Sequence, residues 1–466
     1  MNRAKSYFFC GIGGSGMLPL ACIVRGRGHD VAGSDRSLDQ GRIGDKFAFL
    51  ENQGIRLFPQ DGSGLTSGDQ ILVTSAAIEE TVPDVQAARR VGADQVTRPQ
   101  LLAELFNEAA TGIAVGGTSG KSTVTGMIGW VLQDAGRHPT VMNGAVMKNF
   151  VSAETPFASA LVGDGRIFVS EVDESDGSIA LYRPTIAILN NITLDHKSLD
   201  ELRHLFRDFA SKAEKIVLNL DDDETRLLAA TLPPELVVTY SLEGKPADYS
   251  ASGLVEEPFA ISFALTHSKE GFSRPVRLSV PGRHNVANAL AAIAGAHLAG
   301  LPLETAADNI ASFRGLRRRM ELVGAANGVT ILDDFGHNPD KIAATLDTLH
   351  AFPGRLLLMF QPHGYGPLRV MRQQLIDCFA QKLADEDVLI MPDPVYYGGT
   401  VDRSVGSGDI VSGILARGRN AEHVPGRADC GRRLLELAQP GDRILIMGAR
   451  DDTLSQFAAD LLERLQ

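Results

Sequence analysis

The chain has 466 residues, more than one hydrophobic core normally serves, so two or three domains are expected. Hydrophobic residues make up 44% of the sequence and charged residues 22%, which excludes an intrinsically disordered protein. The net charge of -12 argues against a general binder of nucleic acids or anionic membranes.

Cysteine content and apolar runs indicate the compartment. The four cysteines are too scattered for a disulfide framework and lack the C-x-x-C spacing of metal sites. No apolar run reaches the length of a membrane span, and the first residues lack the apolar segment of a secretory signal. We therefore expect a cytoplasmic protein that binds neither nucleic acid nor membrane, and the sequence leaves its oligomeric state open.

The first predicted domain, residues 1–107, alternates strands with helices. Strands are predicted at Ser6–Cys10, 29–33 and Gln70–Thr74, and helices at 17–24, Pro83–Val91 and 100–106. Such alternation favours a parallel sheet.

The turn after the first strand has the pattern G-x-G-x-x-G. Its glycines let the backbone approach a diphosphate, whose charge is stabilised by amides at the following helix N-terminus. Asp35 ends the second strand, where dinucleotide sites place an acidic residue. The loop suits a nucleotide-sugar diphosphate as well as NAD, and a purely structural turn is a third interpretation. The loop residues are Gly11, Gly13, Gly14, Ser15 and Gly16.

The second predicted domain, residues 108–313, combines a parallel core with an added β segment. Turn-rich β segments replace the helical pattern from about 236 to 280. Core strands are predicted at 111–115, Ile167–Glu171, 185–190 and Lys215–Asn219, with helices from 121 to about 135 and over 285–299.

The loop after the strand at 111–115 ends in the G-K-[ST] pattern of a P-loop. Val115 stands where the full pattern has its first glycine, so the loop is a shortened variant. In such loops backbone amides and the lysine hold phosphates, and the hydroxyl after the lysine binds Mg²⁺. We predict phosphate binding by Gly117, Thr118, Ser119, Gly120, Lys121, Ser122 and Thr123.

Acidic residues follow the strand Ile167–Glu171. An exposed acidic loop is one interpretation; the other is a set of oxygen ligands for a cation that bridges nucleotide phosphates. His196 follows the strand predicted at 185–190, and a lone histidine there is more often structural than a ligand. The acidic residues are Glu171, Asp173, Glu174 and Asp176.

The third predicted domain, residues 314–466, starts with the arginine cluster 317–319 and again alternates strands and helices. A charged surface and a phosphate clamp both fit the arginines. Strands are predicted at 329–333, 355–360, Val388–Met391 and 443–447.

Taken in order, these motifs resemble the Mur ligase family of ADP-forming amide ligases over essentially the whole chain. The resemblance implies an α/β protein of three domains, each built on a mainly parallel sheet. They are an N-terminal Rossmann-like domain for a UDP-sugar, a central P-loop ATPase with the β excursion, and a C-terminal Rossmann-like domain that closes over ATP and the amine acceptor. It rests on the glycine loop with Asp35, segments 74–78, 117–123, 171–176, 191–196 and 282–288, Arg318 with Arg319, and segment 333–339.

The resemblance also implies roles for single residues. Lys121, Glu171 and His196 would be catalytic, and Ser122, Glu171 and His196 would bind Mg²⁺. Beyond the P-loop, ATP would be bound by Asn288, Arg319 and Asp334. The UDP-substrate would be bound by Asp35, Ser75 and the glycine loop, and the acceptor by His337, His363 and Arg369.

The implied activity is an acid–amino-acid ligase that uses ATP and Mg²⁺. It would join L-alanine to UDP-N-acetylmuramate through an acyl phosphate in peptidoglycan precursor synthesis. The sequence departs from the alanine-adding pattern at Ser119, at 197–198 and above all at 364–369, where only Arg369 of an arginine-rich segment remains.

Three alternatives follow from these departures and from the glycine loop. The departure at 364–369 leaves room for a murein peptide ligase or another Mur-like ligase with a different acceptor. An NAD-linked oxidoreductase would use the glycine loop and Asp35. A catalytically idle binding module is suggested only by Gly364 and Pro367.

Overall fold

The computed structural model describes residues 4–75, 78–193, 198–395, 402–449, 451 and 453–466. The chain divides into two compact units, Met1–Gly315 and Leu316–Gln466, here called unit 1 and unit 2. Unit 1 contains two sheets and unit 2 contains one. The prediction of an α/β protein built on three mainly parallel sheets is confirmed.

The first sheet of unit 1 is entirely parallel, in the order β3-β2-β1-β4-β5. Its central strand β1 is buried between helices, since Phe8 and Phe9 expose no surface. The strands are β1 (Ser6–Cys10), β2 (Asp30–Ser34), β3 (Arg56–Phe58), β4 (Gln70–Thr74) and β5 (Asp94–Thr97). The helices are α1 (Met17–Gly26), α2 (Arg36–Asp39), α3 (Gly44–Asn52), α4 (Pro83–Val91) and α5 (Arg98–Asn107).

The second sheet of unit 1 has ten strands in the order β15-β14-β13-β12-β11-β10-β6-β9-β7-β8. The predicted β excursion pairs in register with β12 and so extends the parallel core by an antiparallel meander. The core strands are β6 (Thr111–Gly116), β7 (Thr140–Met142), β8 (Ala160–Leu161), β9 (Ile167–Glu171), β10 (Ile186–Leu189), β11 (Lys215–Asn219) and β12 (Val237–Ser241). The meander consists of β13 (Tyr249–Glu257), β14 (Ala260–His267) and β15 (Phe272–Leu278).

Among the described residues, five helices cover this sheet. The Ala-rich α9 is almost wholly buried, because small side chains allow close packing against the sheet and α6. The helices are α6 (Lys121–Asp134), α7 (Leu199–Ser211), α8 (Asp223–Ala229), α9 (Arg283–Leu298) and α10 (Leu303–Ile310), with short 3₁₀ turns at Lys148–Phe150 and Ser178–Leu181.

Unit 2 has a six-stranded sheet in the order β16-β17-β21-β18-β19-β20, parallel except for the edge strand β16. Its strands are β16 (Glu321–Ala326), β17 (Val329–Asp334), β18 (Leu356–Gln361), β19 (Val388–Met391), β20 (Ala421–His423) and β21 (Arg443–Gly448). Its helices are α11 (Pro339–His350), α12 (Tyr365–Val370), α13 (Arg372–Lys382), α14 (Ser407–Leu415), α15 (Arg427–Leu437) and α16 (Thr453–Leu465). Across the described ranges of both units, we find no helix with the length and hydrophobicity of a transmembrane span.

Candidate active site

The P-loop lies at the C-terminal edge of β6, between its parallel neighbours β9 and β10. Gly120 caps α6 with a left-handed backbone, φ 85°, which a side chain would strain. A Cβ there would also lie 2.6 Å from Asn288 Oδ1 and 2.7 Å from Asn190 Nδ2. Glycine is therefore required both for the turn and for the close approach of two amide side chains.

Lys121 is held inside this loop by an acidic partner. Its Nζ donates to the Gly117 carbonyl at 2.7 Å and to the two Glu174 carboxylate oxygens at 2.8 and 3.0 Å. The side chains of Lys121 and Glu174 are 20% and 8% exposed. Sequence reasoning placed Glu174 only in an acidic run, and the structure assigns it this specific partner.

Ser122 and Glu171 meet at the same edge of the sheet. The Ser122 hydroxyl donates to Glu171 Oε2 at 2.7 Å. Asn143 donates from its side chain to the Ser122 carbonyl at 2.9 Å, which fixes the first turn of α6. A Cβ on Gly144 would lie only 2.1 Å from Glu171 Oε1, so glycine at this position leaves room for the carboxylate. Sequence reasoning missed both Asn143 and Gly144.

The segment after β10 anchors the P-loop. Asn191 accepts the Ser119 backbone N–H at 2.8 Å and donates back to the Ser119 carbonyl at 3.2 Å. The Thr118 hydroxyl donates to the Thr193 carbonyl and accepts the Thr193 N–H. His196, a predicted catalytic and metal-binding residue, lies outside the described residues, as does Asp195.

The start of α9 faces the P-loop. Asn288 is 9% exposed, and its amide donates to Asn285 Oδ1 at 3.2 Å, while its oxygen is the nearest atom to the Cβ position of Gly120. The sequence placed Asn288 on this helix, and the structure brings it beside the phosphate loop.

The N-terminal glycine loop lies at the C-terminal edge of β1. Asp35 accepts the Gly13 N–H on Oδ2 at 2.9 Å and the Ser37 N–H on Oδ1 at 2.8 Å, so both oxygens brace the loop and the start of α2. Ser75 follows β4, which pairs with β1, and therefore lies at the same edge as Gly11. The structure thus brings the predicted UDP-site residues together.

Arg98, at the start of α5, is a basic residue that sequence reasoning missed. Its side chain lies 3.1 Å from the Cβ position of Gly16, at the N-terminus of α1. It also lies 3.9 Å from the carboxylate of Asp176, in the acidic segment after β9, and is 25% exposed. A guanidinium beside the glycine loop supplies the positive charge that a diphosphate requires.

In unit 2, Asp334 ends β17 and is engaged on both oxygens. Oδ2 accepts the Met320 N–H at 2.8 Å, and Oδ1 accepts the Gly336 N–H and the Thr345 hydroxyl. Arg318 is 7% exposed and donates to the Gly448 and Asp451 carbonyls, so it braces the unit. The Arg319 guanidinium stacks 4.7 Å from the centre of the Phe335 ring.

Two of the three predicted acceptor residues come together in unit 2. The rings of His337 and His363 meet edge to face, with centroids 5.3 Å apart. Arg369, on α12, pairs with Asp402 at 2.5 Å, and both side chains are half exposed. Burial, with a smaller contribution from Lys341, lowers the pKa of His337 from 6.5 to about 4.

This shifted pKa predicts acid sensitivity of unit 2. Between pH 6.5 and about 4, His337 takes up a proton in the unfolded chain but stays neutral when folded, so the free energy of unfolding falls as the pH falls. Asp333 acts in the opposite sense, because burial raises its pKa to about 6. We expect wild type to lose more stability than His337→Gln on acidification, measured by hydrogen exchange of β17 and β18 amides corrected for intrinsic rates. Equal pH dependence in the two proteins would contradict the assignment.

Three family models together match most of the chain. They are the Mur ligase family, catalytic domain, over residues 6–109; the Mur ligase middle domain, over residues 115–296; and the Mur ligase, glutamate ligase domain, over residues 318–450. Each model covers one of the three sheets, except that residues 111–114 of β6 precede the middle-domain match.

Relatives that match over their full length also belong to the Mur ligases. The UDP-N-acetylmuramate--L-alanine ligase of Agathobacter rectalis is 33% identical, over 98% of this chain and 97% of that protein. The ligase of the same name from Jannaschia sp. is 34% identical, over 100% of this chain and 96% of that protein.

Solved structures of ligases are similar to this chain along its whole length. The UDP-N-acetylmuramate-alanine ligase of Thermotoga maritima is 25% identical, with a TM-score of 0.78 over 98% of each chain. A murein peptide ligase from Psychrobacter arcticus is 25% identical, with a TM-score of 0.70 over 99% of each chain. With three family models in order and relatives matched from end to end, the chain belongs to the Mur ligase family and is a ligase.

Proposed function

We propose that this ligase joins L-alanine to the carboxylate of UDP-N-acetylmuramate in the cytoplasm, with ATP cleaved to ADP and phosphate. The observation that carries the proposal is the end-to-end likeness to relatives that bear this activity in their names. Enzymes of this family depend in general on ATP and Mg²⁺.

The residues around the P-loop fit a magnesium ion. Mg²⁺ prefers oxygen ligands, and the Ser122 hydroxyl and Glu171 carboxylate lie 2.7 Å apart beside the loop that would hold the phosphates. We assign these two residues as its ligands, and we assign His196 to a second Mg²⁺. When bound, the ion would neutralise charge on the transferred phosphoryl group.

Lys121 and the loop amides would stabilise the same charge. The substrate carboxylate attacks the γ-phosphorus in line, ADP leaves, and an acyl phosphate forms. The amine of the acceptor then attacks the acyl carbon, loses a proton, and phosphate leaves. Phosphates that enter the loop compete with Glu174 for Lys121, so the ion pair seen here would exchange for a pair with ATP.

Each predicted domain takes one task in this proposal. Residues 1–107 hold the UDP moiety at the glycine loop, with Arg98 as an added basic group. Residues 108–313 hold ATP, with Asn288 beside the phosphate loop. Residues 314–466 would close over ATP and the acceptor; Arg319 and Asp334 are the residues proposed for the nucleotide, and His337, His363 and Arg369 those proposed for the acceptor. Closure would protect the acyl phosphate from water.

The acceptor is the part of the proposal that most needs a direct test. ADP release would be measured with UDP-N-acetylmuramate against a panel of amino acids and against the murein tripeptide. We expect L-alanine to give the highest kcat/KM. A preference for the tripeptide would instead assign the chain as a murein peptide ligase. Two observations favour that alternative: the departure from the arginine-rich pattern at 364–369 and the similarity to the Psychrobacter arcticus structure. No ADP release with any acceptor would reject both.

A further inference from the structure

Two histidines and a glutamate meet in unit 1, at the end of α9 remote from the P-loop. His267 ends β14, Glu270 lies in the turn before β15, and His297 lies in the last turn of α9. One potential ligand atom from each lies within 4.8 Å of the other two. His297 is about 14 Å along the helix from Asn288, so this His267 cluster is separate from the nucleotide site.

The separations within the His267 cluster suit a small tetrahedral ion. Glu270 Oε1 lies 3.3 Å from His297 Nε2 and 3.7 Å from His267 Nδ1. Zinc bonds of about 2.0–2.2 Å in tetrahedral geometry hold ligand atoms roughly 3.3–3.6 Å apart. Both separations from Glu270 Oε1 are close to this range, and the ligand atoms of the two histidines lie within 4.8 Å of each other.

His267 provides the second, independent observation. Its side chain is 8% exposed, and Nδ1 is a buried atom for which the described residues offer no hydrogen-bond partner. Leaving such a nitrogen unsatisfied is unfavourable, because it has lost its hydrogen bond to water and gained no other. A metal ion beside Glu270 would satisfy it.

The surroundings orient His297 for coordination through Nε2. The Tyr249 hydroxyl lies 2.6 Å from His297 Nδ1, and metal-binding histidines usually hold their second ring nitrogen in such a hydrogen bond. The neighbouring cation, Lys269, pairs with Asp248 at 2.7 Å. Glu270 is thereby left facing the two imidazoles.

We propose that His267, Glu270 and His297 bind a zinc ion, with Tyr249 as a positioning residue and water as the fourth ligand. Two imidazole nitrogens and one carboxylate oxygen form a ligand set that zinc accepts. The ion would fasten the turn between β14 and β15 to the C-terminal end of α9, where the helix dipole also favours positive charge. This inference does not depend on the acceptor or on catalysis.

The test measures zinc binding by the full chain. The protein is first treated with a chelator to remove bound metal, and zinc is then titrated in a calorimeter. Zn²⁺ is titrated without nucleotide and in excess Mg²⁺, which occupies the magnesium sites proposed near the P-loop. We expect wild type to bind one zinc ion that Glu270→Gln and His297→Gln bind at least about tenfold more weakly. Tyr249→Phe should weaken binding by about 10- to 100-fold.

Glu270 is the main variant because its side chain is 48% exposed, so its replacement leaves the fold intact. The matched control is His423→Gln, since His423 makes a two-residue pair with Asp393 at 2.8 Å and should not affect zinc binding. Wild type loaded with Co²⁺ in place of zinc should show the visible absorption of a tetrahedral site. This absorption should be absent in Glu270→Gln. Wild-type zinc affinity in Glu270→Gln and His297→Gln, or no stoichiometric binding by wild type, would overturn the proposal.

Discussion

Replacing Lys121 with methionine is expected to lower kcat for ADP release by at least about 100-fold. Removing one preorganised electrostatic group from a transition state typically costs about 10²–10³ in rate. Lys121 Nζ lies within the P-loop, against the Gly117 carbonyl. The measurement is steady-state ADP release with saturating substrates.

The control for this variant also replaces Glu174, the ion-pair partner of Lys121. Methionine leaves the 8% exposed Glu174 carboxylate without its cation, which for a buried pair costs about 3–5 kcal/mol of stability. Lys121→Met with Glu174→Gln removes the stranded charge and should restore thermal stability while leaving ADP release as low as in the single variant. Recovery of activity together with stability would show that Lys121 acts only in folding.

Replacing Gly144 with alanine is expected to lower activity by about 100-fold and to raise the Mg²⁺ concentration needed for half-maximal rate. The new Cβ would lie 2.1 Å from Glu171 Oε1, so the carboxylate has to leave the position in which it accepts the Ser122 hydroxyl. A displacement of about 1 Å of a catalytic group can cost about 10²-fold. The Glu171 side chain can turn aside, so the fold should persist.

Gly44→Ala is the matched control for this substitution. Nothing lies within 4 Å of a Cβ at Gly44, which has no left-handed backbone and lies at the start of α3. The control should keep the wild-type rate and Mg²⁺ dependence. If Gly144→Ala also kept the wild-type Mg²⁺ dependence, the assignment of Glu171 as a magnesium ligand would be wrong.

The elements that the sequence predicted are those with a clear local signal. Strands such as β1 and β9 are short buried apolar runs, and α9 is Ala-rich, so composition and periodicity within a few residues identify them. Strands β7, β8 and β20 have only two or three residues, too few for an alternating pattern. Strand β5 is polar and mostly exposed, so it lacks the buried apolar run by which a strand is predicted.

The sequence alone predicts the order of α/β units, the glycine loop and the P-loop with Lys121 and Ser122. These depend on residues that are neighbours in the chain, where turn chemistry and helix N-termini act locally. It also placed Glu171 at the end of a strand, without showing that Ser122 lies 2.7 Å from it.

Contacts between side chains that are distant in the chain depend on the fold. The placement of β6 between β9 and β10 brings Glu171, Glu174 and Asn191 to the P-loop, and the extension of the sheet through β13–β15 brings His267 to His297. Such pairings depend on strand order and on register, since a shift of one residue turns each side chain to the opposite face. A local pattern carries no information on strand order, so the partner of Lys121, the space kept by Gly144 and the His267 cluster emerge only from the fold.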